Sequence, residues 1–216
     1  MTTPTAHDLV VFGEDWGRHP SSTQHLVRRL AADRQVVWVN SIGLRRPRPN
    51  GSDLVRVASK LLRRPKAASR GVTPPERMSI VPPMAVSWPG SSLAATVNRH
   101  VVGWQVRRVM ARRNMRRPIL WTSLPSAMPL VGSLGERAVV YYCGDDFGSL
   151  AGVDHEPVMA MERALVDRAD LIIAASETLA ERLPASRTLL LPHGADVDLF
   201  RRPAMRARDL PDRGQI

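Results

Sequence analysis

Short apolar runs alternate along the chain with longer stretches in which apolar residues recur at helical spacing. The runs lack polar residues at alternate positions, so they predict strands that are buried on both faces of a sheet. Between them, apolar residues spaced by three and four positions predict helices. The predicted strands are residues 9–12, 36–39, 79–81, 119–121, 138–143, 170–175 and 188–191, and the predicted helices are residues 21–32, 91–116, 156–169 and 176–183.

Strands that alternate with helices predict right-handed crossover connections and a parallel sheet covered on both faces. We therefore expect an α/β fold with a doubly wound, Rossmann-like sheet, whose ligands bind at the carboxyl ends of the strands. The longest predicted helix, residues 91–116, carries Leu93, Val97, Val101 and Trp104 along one apolar face.

Residues 1–200 make up the predicted Rossmann-like domain, and residues 201–216 are expected to be a tail or the start of an interdomain linker. Residues 41–90 interrupt the alternation of strands and helices, because they hold eight of the 18 prolines. Inside this insertion, residues 54–64 have the pattern of a basic amphipathic helix. That pattern is typical of an interfacial membrane helix, and equally of a surface helix whose apolar stripe packs on the core.

The net charge of +11 is concentrated in one part of the chain. Residues 45–117 hold 17 Lys or Arg and only two acids, whereas the remainder holds 14 bases and 18 acids. Such a block favours a polyanionic partner, namely nucleic acid, anionic lipid or a phosphorylated substrate, and a solvated basic surface would have the same composition. The residues expected to contact a membrane or another anion are Arg56, Lys60, Arg63, Arg64, Arg107, Arg108, Arg112 and Arg113.

Several features bear on the location of the protein. No apolar stretch approaches the roughly 20 residues of a membrane-spanning helix, and the first eight residues lack the apolar core of a signal peptide. The single cysteine, Cys143, cannot form an internal disulfide. These features predict a cytoplasmic protein, and the basic block adds a peripheral contact with the inner face of the cell membrane. No residues have the spacing of metal ligands, so no metal site is predicted.

A polar loop, residues 13–20, follows the first predicted strand. It places two carboxylates, an arginine and a histidine just before a helix, whose free backbone N–H groups can hold an anion or a sugar hydroxyl. A turn stabilised by capping residues would have the same composition. The loop is not a G-x-G-x-x-G fingerprint, and no Walker A sequence occurs in the chain, which disfavours a Rossmann dehydrogenase or a P-loop enzyme. The candidate acceptor-binding residues in this loop are Gly13, Glu14, Asp15, Trp16 and His19.

Asp145 and Asp146 follow the predicted strand 138–143. Adjacent carboxylates at a strand end can accept hydrogen bonds from sugar hydroxyls or act as a base, and at such proximity they are expected to raise one another's pKa. Helix capping and loop hydrogen bonding are the alternative roles.

Two later strand ends are also polar. Ser176 precedes Glu177 after the strand 170–175 and is expected to cap the next helix. His193 and Gly194 follow the final predicted strand and fit a tight turn.

Four segments together resemble the family 4 glycosyltransferases of the GT-B fold. Residues 191–200, L-P-H-G-A-D-V-D-L-F, resemble the P-N-G-V-D-x-x-x-F segment that closes the N-terminal domain of that family, with His193 in place of the usual Asn. Residues 169–177 look like its A-D-x-V-I-x-x-S-E segment. Residues 140–147 are similar to the V-Y-x-x-x-D-D segment of members that build bacterial surface polysaccharides, and residues 15–26 look like the first βα loop of the same members.

The resemblance implies transfer of a sugar from a nucleotide sugar to a cell-envelope polysaccharide or a lipid-linked acceptor, with no further cofactor. The acceptor would lie on the N-terminal domain, facing a second domain that binds the donor through an E-x7-E pair. No two glutamates in this chain have that spacing, so we expect an acceptor-side half that is inactive alone. The candidate catalytic residues are Asp145, Asp146 and His19. The residues expected at the interdomain cleft are Ser176, Glu177, His193, Gly194 and Asp196.

Other functions fit parts of the pattern. A non-catalytic Rossmann-like protein could bind a partner subunit, nucleic acid or an anionic surface with the same basic block. Nucleic acid is disfavoured, because aromatic residues make up only 5% of the chain and no helix-turn-helix, RNP or zinc pattern occurs. A sugar-nucleotide epimerase is disfavoured by the missing G-x-G-x-x-G sequence.

Overall fold

The computed structural model describes residues 6–46, 73–194, 197 and 201. Within them the chain forms a seven-stranded sheet in which every neighbouring pair is parallel. The strands are β1 (Leu9–Phe12), β2 (Val36–Val39), β3 (Met78–Val81), β4 (Ile119–Thr122), β5 (Ala138–Cys143), β6 (Leu171–Ala174) and β7 (Thr188–Leu190). The α-helices are α1 (Ser22–Leu30), α2 (Ser92–Arg112), α3 (His155–Arg168) and α4 (Glu177–Ala180), with 3₁₀ turns at Pro125–Leu130 and Ala185–Arg187.

The strand order, β3-β2-β1-β4-β5-β6-β7, confirms the doubly wound α/β fold. The chain builds outward from β1 in one direction and then returns to add β4 on the other side. The loops that leave β1 and β4 therefore diverge and open a crevice at the carboxyl ends of these strands.

Two apolar clusters cover the two faces of the sheet. One contains inward side chains of α2, α3 and the 3₁₀ turn Pro125–Leu130, together with Leu120 and Tyr141 of the strands. The other contains α1 and an aromatic group that includes Trp38. The central strands are buried on both faces, which is why they appear in the sequence as uninterrupted apolar runs.

The apolar stripe expected along the longest helix forms, but it does not face the core. Leu93, Val97 and Trp104 are exposed, whereas Val102 and Val106 on the opposite side are buried. When apolar residues line two sides of a helix, their periodicity does not show which side packs on the core.

Buried Asn98 marks the inner face of α2. Its side-chain amide donates to the carbonyl oxygen of Val86 at 2.9 Å and accepts from the N–H of Val86 at 2.7 Å. These two bonds satisfy the backbone of the segment that leads from β3 into α2. The packed side of α2 is thus marked by the polar residue Asn98. Its partner, Val86, lies 12 residues earlier in the sequence, so the periodicity of the helix does not reveal the contact.

The helix ends differ modestly from the sequence prediction. Helix α2 stops at Arg112, and Asn114 adopts a left-handed conformation with φ of 53°, a common way to end a helix. The predicted helix 176–183 shortens to Glu177–Ala180. The predicted amphipathic helix 54–64 lies outside the described residues.

Candidate functional site

A cleft of about 550 Å³ lies at the crevice between the carboxyl ends of β1 and β4. The strand topology explains its position, since this is where the strand order reverses. Its lining comprises Glu14, Pro20, Ser21, Ser22, Thr23, His25, Ser123, Leu124, Tyr142, Gly144, Asp145 and His193. The two carboxylates among these residues are accompanied by hydroxyls and imidazoles and by no Lys or Arg side chain.

The loop after β1 is held against the first turn of α1 by buried Gln24. The Gln24 Nε2 donates to Glu14 Oε1 at 3.0 Å and to the His19 carbonyl oxygen at 2.9 Å. The Gln24 Oε1 accepts from the Gly17 N–H at 3.0 Å. Ser21 caps α1 through its Oγ, which accepts from the Gln24 N–H and also donates to Glu14. Glu14 is therefore fixed at the rim of the cleft before any ligand arrives.

The base of the same loop rests on an aromatic pair. The rings of Trp16 and Trp38 meet edge to face with centroids 5.0 Å apart, and the Trp38 Nε1 donates to the Glu14 carbonyl oxygen at 3.0 Å. A Cβ on Gly13 would lie 2.6 Å from the Trp38 ring. Glycine at this position permits the close approach of strand and indole, so its role here is packing.

The other candidate residues of the loop point away from the cleft. Asp15 accepts a hydrogen bond from the Ser41 hydroxyl at 3.0 Å, and Trp16 is 2% exposed. His19 is exposed outside the cleft lining. Of the five residues expected to bind acceptor, the structure brings Glu14 alone into the cleft.

His193 crosses the cleft from the end of β7. Its Nδ1 lies 2.6 Å from the Ser22 hydroxyl and 3.4 Å from the Tyr142 hydroxyl. The imidazole thus joins the end of the sheet to the first turn of α1. Gly194 is exposed beside it, and Asp196 lies outside the described residues.

Asp145 and Asp146 have separate environments. Asp145 lines the cleft, whereas Asp146 binds its own loop, accepting from the Gly148 N–H and the Ser149 hydroxyl, each at 3.0 Å. Arg182 lies 3.0 Å from the same carboxylate. The Ser149 hydroxyl, the Gly148 N–H and Arg182 lower the pKa of Asp146. The expectation that the pair would raise one another's pKa is therefore wrong for Asp146, whose own loop and Arg182 supply the groups that lower its pKa.

Tyr142 and Ser123 supply hydroxyls deeper in the cleft. Burial raises the pKa of Tyr142, and the carboxylates of Asp145 and Glu14 contribute to the rise, so the phenol stays protonated and can donate. The Tyr142 ring stacks on Trp121 at 6.1 Å. The Ser123 Oγ is buried and has no hydrogen-bond partner within the described part of the chain.

Sequence reasoning assigned no chemistry to Ser123. The only available signal was its position after the predicted strand 119–121, at the edge where ligands of this fold bind.

Ser176 and Glu177 lie outside the cleft lining. Ser176 caps α4, its Oγ accepting from the Leu179 N–H at 3.3 Å, and both residues are exposed.

The expected anion-contacting arginines on α2 and just after it divide into two groups. Arg107 donates to the Ser133 carbonyl oxygen, and Arg113 donates to the Ser79 hydroxyl, each at 2.9 Å. Arg108 lies over the Trp104 ring at 5.4 Å, and Arg112 is exposed. The other four, Arg56, Lys60, Arg63 and Arg64, lie outside the described residues.

Two further properties of the described residues bear on metals and membranes. They contain no group of three or more His, Cys, Asp or Glu side chains arranged to hold a metal ion. None of the helices within them is both long enough and apolar enough to span a bilayer.

No protein-family model matches the chain, and no curated protein matches its sequence. Among solved structures, a UDP-glucosyltransferase from Polygonum tinctorium aligns with a TM-score of 0.46 and 14% identity, over 96% of this chain and 56% of that one. UDP-N-acetylglucosamine 2-epimerase from Rickettsia bellii aligns with a TM-score of 0.42 and 12% identity, over 85% of this chain and 43% of that one.

The chain spans about half the length of these two enzymes. Both of these weak structural neighbours are named for a nucleotide sugar. At such identities and TM-scores the likenesses do not establish membership of glycosyltransferase family 4.

Proposed function

We propose that this chain is the acceptor-binding domain of a nucleotide-sugar glycosyltransferase of the family 4 type. The observation that carries the proposal is the convergence of Glu14, Asp145 and His193, from three separate strand ends, on one cleft at the switch point of the sheet. Open α/β sheets bind their ligands at this place.

The chemistry of the cleft favours a neutral polyhydroxyl ligand. Carboxylates accept hydrogen bonds from sugar hydroxyls, and the protonated Tyr142 hydroxyl can donate to sugar oxygens. A nucleoside diphosphate would bring negative charge against Glu14 and Asp145, and the lining formed by the described residues holds no Lys or Arg side chain to offset it. The donor is therefore assigned to a second domain, as the family resemblance implies.

Among the candidate catalytic residues, Asp145 has the position that a base requires. A base must lie within hydrogen-bond reach of the acceptor hydroxyl, and Asp145 lines the cleft. Asp146 is engaged by Arg182 and its own loop, and His19 lies outside the cleft. His193, placed between Ser22 and Tyr142, is a second group that could take the acceptor proton.

The complete reaction proposed is transfer of a sugar to a cell-envelope glycan or a lipid-linked acceptor at the inner face of the membrane. A non-catalytic binding protein is the alternative, and it would use the same cleft without transfer. Transfer from a radiolabelled nucleotide sugar, measured with the chain joined to or mixed with a donor-binding domain, separates the two.

The first experiment measures which ligand class the chain binds alone. We expect a panel of methyl glycosides to shift NMR resonances of residues around the cleft, with Kd in the millimolar range, on the order of 4 kcal/mol of binding free energy. UDP-glucose and GDP-mannose should produce no comparable shifts. Nucleotide-sugar binding in this cleft, without methyl glycoside binding, would overturn the division between acceptor and donor domains.

Variants then locate the binding. Asp145→Asn and Glu14→Gln should each weaken methyl glycoside binding by about tenfold, because a carboxylate accepts a stronger hydrogen bond than an amide oxygen. Asp167→Asn, a change at an exposed acid of α3, is the matched control. Equal affinity in all three variants would place the sugar elsewhere.

A further inference from the structure

The outward face of α2 is apolar and exposed. Leu93 is 73% exposed, Val97 37% and Trp104 55%. At about 100° per residue, the three positions fall within roughly 40° of one another on the helix. They form one stripe, on the side of α2 opposite to the residues that pack on the sheet.

The segment that precedes α2 carries three more exposed apolar side chains. Met84, Val86 and Trp88 are 58%, 43% and 52% exposed. The segment is fastened alongside α2, because Asn98 binds both backbone groups of Val86 and the Gln105 Oε1 accepts from the Met84 N–H at 2.9 Å. The two anchoring side chains lie about 120–140° around α2 from Leu93, so this exposed segment runs along a different side of the helix from the stripe.

Exposed large apolar side chains therefore lie both on α2 and on the segment before it. Apolar residues scattered singly over a surface are ordinary, whereas several held together by a rigid helix and a tied segment mark an interaction surface. We call Met84, Val86, Trp88, Leu93, Val97 and Trp104 the α2 surface.

The stretch of sequence that contains the α2 surface carries basic residues and no acids, while exposed Glu156 stands next to Pro157, which borders Gly90. Residues 77–135 contain eight arginines and no acid. Arg108 lies on the stripe itself, its guanidinium 5.4 Å from the centre of the Trp104 ring, and exposed Arg112 follows one turn later. Exposed Arg99 and His100 lie on the same helix.

The combination of exposed apolar side chains and arginines favours one class of partner over another. Nucleic acid would pair with the arginines and leave six apolar side chains in water, since its affinity comes mainly from phosphate contacts. An anionic bilayer accommodates both the apolar side chains and the arginines. The apolar side chains enter the boundary of the acyl chains, while the arginine side chains extend to the headgroups. Tryptophan in particular favours that boundary.

We propose that the α2 surface docks the protein on an anionic lipid bilayer. Residues 82–91 lead from the carboxyl end of β3 to the start of α2, so Trp88 and Leu93 lie towards the same edge of the sheet as the cleft. Docking through this face brings that edge near the lipid headgroups. The surface is independent of the proposed transferase function, since vesicle binding involves no sugar.

The test is co-sedimentation of the full chain with large unilamellar vesicles. We expect binding to vesicles of phosphatidylcholine with about 30% phosphatidylglycerol, little binding to phosphatidylcholine alone, and clear weakening at about 0.5 M salt. Leu93→Ser with Trp104→Ser, and separately Arg108→Glu with Arg112→Glu, should each weaken binding at least about tenfold.

Matched controls alter other surfaces. Leu150→Ser with Leu189→Ser changes exposed apolar residues away from α2, and Arg29→Glu with Arg163→Glu reverses charge on α1 and α3. Each should bind within about twofold of the natural chain. Circular dichroism and the thermal midpoint of every variant separate loss of docking from loss of fold.

Three results would overturn the proposal. The first is absence of binding to anionic vesicles by the natural chain. The second is binding that both α2 double variants retain, above all if it is lost when Arg56, Lys60, Arg63 and Arg64 are replaced by Gln. The third is self-association or binding to a DNA duplex that the α2 variants abolish while vesicles do not bind, which would assign the surface to a second copy or to nucleic acid.

Discussion

The cleft and the α2 surface differ in how their side chains are partnered. In the cleft, Glu14 is held by Ser21 and Gln24, and His193 lies between Ser22 and Tyr142. On the α2 surface the large side chains are exposed, and Arg108 lies over the Trp104 ring. A preorganised polar cleft suits a small hydroxyl-bearing ligand, whereas an exposed apolar and cationic face suits a broad surface.

The largest expected effect concerns the base of the cleft. Gly13→Ala should destabilise the protein by about 3 kcal/mol, because the new Cβ would overlap the buried Trp38 ring. Urea denaturation followed by circular dichroism measures the change. Gly194→Ala, where a Cβ meets no atom within 4 Å, is the control and should change stability by less than about 0.5 kcal/mol. Equal stability of the two variants would show that the strand can shift away from the indole.

The next effect separates the two faces of α2. Asn98→Ala should lower the free energy of unfolding by about 2 kcal/mol, because both backbone groups of Val86 lose their partner. Trp104→Gln on the outward face should change it by less than about 0.5 kcal/mol. The same denaturation measurement applies to both variants. A larger loss from Trp104→Gln would mean that the outward face is packed in solution.

The smallest effect concerns pH and the loop that borders the cleft. Because its pKa is lowered in the folded protein, Asp146 contributes stability that is present above about pH 4, the ordinary pKa of aspartate, and is lost as the pH falls through the folded value. Asp146→Asn should therefore cost more stability near neutral pH than in acid. The urea denaturation midpoints of Asp146→Asn and of the natural chain, at neutral and at acid pH, measure this difference, with Asp167→Asn as control. If the stability difference between Asp146→Asn and the natural chain were the same at both pH values, the charge of the carboxylate would not be its cause.

Much of the fold followed from local pattern. The strands 9–12 and 36–39 match the structure residue for residue, because strands buried on both faces read as uninterrupted apolar runs. The edge of the sheet that carries the cleft followed from the strand–helix alternation. Which polar residues enter the cleft did not follow, since Asp15 turns to Ser41 and Asp146 turns to Arg182.

The sequence by itself determined the parallel α/β architecture and the excess of arginine before β4, because both are properties of residue type and spacing. Tertiary structure decided which of two apolar faces of α2 packs on the sheet, and it brought His193 to within 2.6 Å of Ser22, 171 residues away. The reason is that periodicity describes one element at a time. The choice between faces, and the meeting of distant strand ends, depends on contacts such as that of Asn98 with Val86, which exist only once the elements pack together.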